Sequence, residues 1–352
     1  MSTLRNWSQG SLSIPPAALW AVERVGLARG RQDLFTRQSP QRLRALREHA
    51  VVESTVSSNR IEGIEVDRPR VGTLVFGRSA PRDRNEEELQ GYRRALEWIH
   101  GEADSIPLDT PTLLELHRRV RGELWDSGRF KDQDGEIVER YPDGRQRVRF
   151  RPVTAAATPD AVTELLALHH RSQVEAWVPA PVALAAFNLD LLCIHPFRDG
   201  NGRVSRLILL LSCYHAGLEV GRYISLERLV EQRKDEYYGT LETSSQGWHE
   251  GRHDPWPYVL FILSLLREAY QELEARLGAL TLPRGEKRGR VLAWVELQER
   301  SFSLEDLRRG CPGVGDDMLR KVLKELRAQG RVTCLGRGVR ARWSRGNQVL
   351  PG

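Results

Sequence analysis

His195-Pro196-Phe197-Arg198-Asp199-Gly200-Asn201-Gly202-Arg203-Val204-Ser205-Arg206 is the stretch that decides the fold. Pro181 to Ile194 before it reads as an apolar helix, and Asn201 to Ala216 as another. Between them Gly200 and Gly202 permit a sharp turn and let a ligand approach bare amides. The first amides of the second helix lack partners within it and carry the positive end of its dipole, so the loop is built for an anion. Arg203 and Arg206 are three apart and share a helix face, which lets both guanidinium groups reach one polyphosphate. Asp199 offers the hard oxygen that Mg²⁺ prefers, and Asn201 a neutral donor for a phosphate oxygen. His195 stands at the loop entrance with a pKa suited to general-base work. A solvated glycine turn beside a satisfied histidine would need neither the acidic residue nor the arginine pair.

The chain around this stretch has 352 residues, which predicts two or three domains with a sizeable core. Hydrophobic residues make up 40% and charged residues 28%, which excludes wholesale disorder. Cys193, Cys213, Cys311 and Cys334 include no C-x-x-C pair, so neither a disulfide scaffold nor a cysteine zinc site is expected. Reduced thiols predict a cytoplasmic protein. Met1 to Gly10 lacks the apolar stretch of a signal peptide, and Leu207 to Leu211 is far short of the roughly 20 residues of a membrane span. No membrane partner is expected.

Most of the remaining sequence reads as helix. Ser39 to Ile61 has helical spacing, with Gly63 where a C′ glycine belongs. Asn85 is the expected cap of a helix through Trp98, with Glu86, Glu87 and Glu88 in its first turn favouring the dipole. A helix follows Thr110-Pro111, and others fit Pro159 to Gln173, Ser225 to Ser244 and Pro257 to Leu280. Between Gly128 and Phe150, Ile137-Val138 and Val148-Arg149-Phe150 flank Pro142-Asp143-Gly144, a hairpin signal. Thr281-Leu282-Pro283-Arg284-Gly285 reads as a linker. His249 and His253 are four apart, but Gly251 and Pro255 predict a loop there and no metal site.

The stretch 195–206 resembles the signature H-x-F-x-[DE]-G-N-G-R-x-x-R of the Fic family and matches it at every specified position. The resemblance covers roughly residues 40 to 275 and implies an all-α Fic fold with a short β-hairpin, the flap. It implies transfer of AMP from ATP to a hydroxyl side chain of a target protein, with release of pyrophosphate. His195 would then be the catalytic base toward a Ser, Thr or Tyr hydroxyl, and Asp199 would hold Mg²⁺. Phe197 would anchor the loop, and Asn201 with the amides of Gly200 and Gly202 would bind the α-phosphate. Arg203 and Arg206 would take the outer phosphates. Position 202 is Gly where the family's kinase-like branch has Lys, which favours AMP transfer.

Ser58-Asn59-Arg60-Ile61-Glu62-Gly63 matches the family's inhibitory pattern [ST]-x-x-x-E-[GN]. The resemblance implies that Glu62, with Ser58, engages Arg206 and denies it to the γ-phosphate, and that the same glutamate supports removal of AMP. The flap, about 128–151, would dock the target by main-chain pairing. Tyr237 and Tyr238 fall in a segment that resembles the adenine side. Self-modification and a homodimer are further implications.

From Glu286 the pattern changes to helix, helix, turn, helix and hairpin, the order of a small α+β winged-helix domain. Ser303-x-x-Asp306 is a capping box. Asp316 to Gln329 is a helix, and Val332 to Leu335 and Val339 to Trp343 are strands around Gly336-Arg337-Gly338. The chain has 53 Lys+Arg against 47 Asp+Glu, a net +6. Glu286 to Arg345 holds 15 basic and 8 acidic residues, a net +7, so the rest carries −1. This predicts a DNA or protein partner of acidic character at that module, against which Asp316-Asp317 stand at the helix start. The expected organisation is a helical region 1–105 carrying the inhibitory motif, a catalytic core 106–280, a linker 281–285, the winged helix 286–345 and a tail 346–352. The competing functional reading is a DNA-binding regulator whose Fic domain senses nucleotide without transferring it.

Overall fold

A computed structural model describes residues 2–36, 40–75, 79–140, 144–277, 286–296, 298, 301–311, 314–336 and 341–345. The chain divides into two compact units, Met1–Glu274 and Ala275–Gly352. The expected linker 281–285, hairpin tip Pro142-Asp143, wing tip Arg337-Gly338 and tail 346–352 lie outside the described residues.

The first unit opens with α1 (Thr3–Asn6), which runs into a π-helical turn, then α2 (Pro16–Thr36), α3 (Pro40–Ile61) and α4 (Arg68–Val75). After α5 (Arg84–Glu102) and α6 (Thr110–Arg121) comes the hairpin β1 (Ile137–Arg140) and β2 (Gln146–Phe150). It is antiparallel, with Val138 opposite Val148 and an irregularity between Ile137 and Val138. Then follow α7 (Thr158–Val174), α8 (Ala180–Ile194), α9 (Asn201–His215), α10 (Leu226–Gln232), α11 (Lys234–Ser245) and α12 (Trp256–Leu277).

α8 is the axis of this unit. Every residue from Val182 to Ile194 is buried, as expected of a helix apolar on all sides, and α1, α7 and α9 pack around it. Its two buried polar side chains are satisfied from neighbouring elements. Asn188 donates to the Ser205 carbonyl (2.8 Å) and accepts from the Tyr258 hydroxyl (2.7 Å). Asp190 accepts from the Thr3 amide (2.8 Å), the Thr3 hydroxyl (2.7 Å), the Leu4 amide (3.0 Å) and the Trp248 indole (2.8 Å). A carboxylate of the central helix thus caps α1.

Two helix expectations are corrected. Asn85 does not cap α5. Asp83 does, its carboxylate accepting the Glu86 N–H at 2.9 Å and adding a charge that suits the helix N-terminus, and the helix runs past Trp98 to Glu102. The helix expected over Ser225 to Ser244 is two, broken at Arg233 (φ −116°, ψ 34°). There the Arg233 guanidinium pairs with Glu236 (2.7 Å) and Glu268 (3.2 Å), and the break redirects the chain into α11.

The second unit comprises α13 (Glu286–Glu296), β3 (Phe302–Ser303), α14 (Leu304–Gly310), α15 (Asp316–Ala328), β4 (Val332–Leu335) and β5 (Arg342–Arg345). Its strands form an antiparallel sheet in the order β3-β5-β4. Val291, Phe302, Leu307, Leu319, Val322, Leu323, Leu326 and Val332 form its core. Ser303 Oγ accepts the Asp306 N–H (3.1 Å) and Asp306 accepts the Ser303 N–H (2.9 Å), the reciprocal pair of a capping box. The last strand, Arg342–Arg345, runs beyond the expected Trp343 because Ser344 and Arg345 pair with Thr333 and Val332 of β4; the expected start at Val339 lies outside the described residues. The protein is therefore mostly helical, with a two-strand hairpin and a small C-terminal sheet. Among the described residues no helix is long and apolar enough to cross a membrane.

Candidate active site

The loop between α8 and α9 is held in an unusual shape. α8 ends at His195 in the left-handed region (φ 52°, ψ 62°), a conformation that costs a non-glycine residue about 1–2 kcal/mol. The buried Lys131 offsets this strain: its ammonium donates to the carbonyls of Ile194 (3.0 Å) and His195 (2.8 Å), and its amide to that of Pro196 (2.9 Å). A cation there also meets the negative end of the α8 dipole. Burial pulls the Lys131 pKa down to about 8.

His195 is half-buried, with Nδ1 3.4 Å from the Leu192 carbonyl oxygen. A carbonyl only accepts, so this contact selects the Nδ1–H tautomer and leaves the Nε2 lone pair open. Burial, then the Lys131 charge, lower the imidazole to about 4, against weaker opposing effects of Glu62 and Asp199. The ring is neutral and able to accept a proton near neutrality.

Phe197 is buried and stacks on His117 with ring centroids 3.9 Å apart and planes 3° from parallel. His117 Nδ1 accepts the Gly128 N–H (3.0 Å), so its other nitrogen donates to the Asp199 carbonyl (3.1 Å). Burial lowers this imidazole to about 4 as well. Asn201 has a bracing role that the sequence reading did not include. Its side-chain oxygen accepts the Phe197 N–H (2.9 Å) and its amide donates to the Phe197 carbonyl (2.7 Å). Both groups brace the loop, and of the two N–H bonds on the side-chain amide nitrogen one is used in doing so.

The two arginines of α9 part company, contrary to the shared-face expectation. Arg203 is 1% exposed and pairs with the buried Glu88 of α5 at 2.5 Å. Glu88 also takes Arg84 (2.8 Å) and Arg121 (3.2 Å), and Arg121 reaches on to Asp199 (2.7 Å). Burial raises the Asp199 pKa, but Arg121 and the Gly200 N–H more than offset it, so the carboxylate lies below its ordinary range. With a 55% exposed side chain, Asp199 suits Mg²⁺, which is commonly held by one or two carboxylates with substrate phosphates and waters. Among the described residues no group of three or more His, Cys, Asp or Glu side chains could hold a metal.

Arg206 turns to α3. Its Nε donates to the Ser58 hydroxyl (2.9 Å), and Nη2 to the Ser58 carbonyl (2.9 Å) and to Glu62 (2.8 Å). Burial works against the charge, but Glu62 outweighs it and the pKa is raised. Its Nη1 is buried without a hydrogen-bond partner among the described residues. A Cβ built on Gly202 would lie 2.1 Å from Glu62 Oε1, so the carboxylate stands directly over the start of α9.

Glu62, His195, Gly202 and Arg206 line one end of a cleft of about 350 Å³. Tyr237 and Tyr238, 5.2 Å between ring centroids, line it with Ile137 and Phe150 of the hairpin. Arg149 ties the hairpin to α11 through Glu242 (2.5 Å), and Arg147 pairs with the same carboxylate. The cleft therefore brings together His195, Gly202, Arg206, Glu62, Tyr237 and Tyr238, while Arg203 sits behind it. Sequence reading missed Lys131, His117, Arg121 and Glu88. Glu88 lies in the run Glu86-Glu87-Glu88, where nothing local distinguishes it from a solvated first turn.

Residues 107–213 match the Fic/DOC family. Among curated relatives, the chain is 26% identical over 232 residues to protein adenylyltransferase Fic of Drosophila persimilis, covering 64% of this chain but 41% of that protein. The Drosophila virilis protein of the same name is 26% identical over 268 residues, 72% of this chain and 50% of its own. The fold is similar to that of a Fic family protein from Desulfovibrio desulfuricans G20 (TM-score 0.63, 21% identity, 97% of this chain and 99% of the other). It is also similar to Fic-1 from C. elegans (TM-score 0.57, 20% identity, 74% and 72%). With the signature loop of α8 and α9 at the end of the matched segment, residues 107–213 are a Fic/DOC-family segment, and the chain is distantly similar to the protein adenylyltransferases named Fic.

Proposed function

We propose that the chain is a protein adenylyltransferase restrained by its own Glu62. The hydroxyl oxygen of a Ser, Thr or Tyr side chain of a target protein attacks the α-phosphorus of ATP. The bond to the β-phosphate oxygen breaks, pyrophosphate leaves, and the hydroxyl proton passes to His195 Nε2. The amides at the start of α9 face the α-phosphate, where charge builds in the transition state. Arg206 takes an outer phosphate through the Nη1 that now lacks a partner. Arg203 acts from behind, by its charge and by the Glu88–Arg121 chain that orients Asp199. Asp199 would hold Mg²⁺ with the α- and β-phosphates, and the ion when bound would offset their charge. Tyr237 and Tyr238 form the adenine side, and the flap docks the target.

The observation that carries this reading is the Arg206–Glu62 pair at 2.8 Å beside an open His195 Nε2. The pair supports inhibition in cis: while Glu62 holds Arg206 and covers Gly202, a nucleotide seats its phosphates wrongly for attack. The same carboxylate, close to the anion site, supports the further role of aligning water for AMP removal. For the second unit, the order of helices and strands with the β3-β5-β4 sheet supports the winged-helix reading.

Incubation with labelled ATP and Mg²⁺ tests the proposal. Glu62→Gly should raise labelling of the protein itself or of a lysate protein about 10-fold or more, since about 1.4 kcal/mol corresponds to tenfold. His195→Ala in that background should abolish it. Equal labelling by wild type and Glu62→Gly would sink the inhibitory role, and labelling that survives His195→Ala would sink the base.

A further inference from the structure

We propose that α15 presents a phosphate-contacting face to duplex DNA. The helix is sharply two-sided. Leu319, Val322, Leu323 and Leu326 are buried in the core of the second unit. On the other side Arg320, Lys321, Lys324 and Arg327 are all exposed, within a run of eight residues spanning about 10 Å of helix. Lys321, Lys324 and Arg327 form no ion pair among the described residues, and Arg320 has only a distant one to Asp316 (3.9 Å).

The acidic helix start is partly neutralised from the helix before it. Arg308 of α14 donates to both oxygens of Asp316, at 2.9 and 2.6 Å, a bidentate pair that lowers the Asp316 pKa. Asp317 is exposed there and forms no ion pair among the described residues. α14 and α15 pack together. The segment 286–345 carries a net +7 by sequence, against −1 elsewhere.

Two features favour a duplex over an acidic peptide or an RNA helix. No large apolar side chain is exposed on α15, whereas a peptide partner ordinarily needs apolar anchors at the centre of its interface. A uniform row of cations suits a polymer of uniform charge. The major groove of B-DNA admits an α-helix, while that of A-form RNA is too narrow.

This inference involves only the second unit, and its assay contains no ATP, so it stands or falls apart from AMP transfer. The full-length chain is titrated into a fluorescein-labelled, random-sequence duplex of about 20 bp, with anisotropy read at about 50 to 200 mM KCl. Four phosphate contacts predict a log–log salt slope of about −3 to −4, hence roughly 100-fold weaker binding across that range. Lys321→Ala/Lys324→Ala should make the slope shallower by about 2 and weaken binding at low salt by about 10-fold. Arg24→Ala/Arg94→Ala removes the same net charge from exposed positions of the first unit and should leave binding unchanged. Thermal melts of both variants verify folding. Absence of binding at the lowest salt, equal losses in the two variants, or displacement of the duplex by poly-glutamate at matched charge would each overturn the proposal.

Discussion

Lys131 illustrates how much of the site rests on one side chain away from the signature. Its ammonium binds the last two carbonyls of α8 and its charge faces the candidate base. In the Glu62→Gly background, Lys131→Met should reduce AMP transfer about 10-fold, because the left-handed turn at His195 loses its support. The acid limb of the pH–rate profile should also move up. Burial and the Lys131 charge both lower the His195 pKa to about 4, so removing the charge lets the imidazole keep its proton to higher pH. Lys131→Arg should restore both, and an unshifted acid limb would reduce Lys131 to a packing residue. At this scale the signature loop was legible, since glycines, an arginine pair and a histidine in one loop have few other uses. The bracing by Asn201 was not legible, because its partner is the main chain of Phe197. A side-chain amide reads the same whether it faces a ligand or its own loop.

Among the elements, α5 holds the site from behind and depends on how closely it meets α6. Gly91 lies at that crossing. A Cβ there would come 2.4 Å from the Arg119 carbonyl oxygen, a backbone atom that no rotamer change can move. Gly91→Ala gains about 1 kcal/mol of helix propensity but forces the helices apart at about 1–3 kcal/mol. We expect the clash to win, lowering the melting temperature by a few degrees. It should also weaken nucleotide binding, since α5 carries Glu88 to Arg203. A variant as stable as wild type would mean that the crossing is softer than it looks. The helices themselves were legible from apolar spacing and glycine ends. The break at Arg233 was not, since the Arg233 side chain there meets Glu268 on α12, 35 residues away. Nor was the cap at Asp83, which competes locally with an equally plausible Asn85.

At the scale of the whole molecule, burial has made the fold hold many histidines neutral. His117, His169, His195 and His253 are each lowered to about 4 and His100 to about 3, burial being the first cause in every case. The unfolded chain binds protons at these groups below about 6.5 while the folded one does not until about 4. Stability should therefore fall as pH drops from about 6.5 towards 4, with a steep decline in melting temperature across that window. Asp190 acts in the opposite sense: its pKa is raised by burial, but it is one group against five. A melting temperature flat between pH 7 and 5 would contradict this. The sequence by itself determined the helical class, the anion loop and the confinement of the basic excess to the second unit, because each depends on spacing or composition within a short stretch. Only the tertiary structure decided which charges meet: that Glu62 takes Arg206 from 144 residues away, that Glu88 takes Arg203 from 115, and that Lys131 secures the turn at His195. Such pairings arise from the packing of α3, α5 and the loop after α6 around α8 and α9, and ionic contacts of that range leave no periodic trace in the chain.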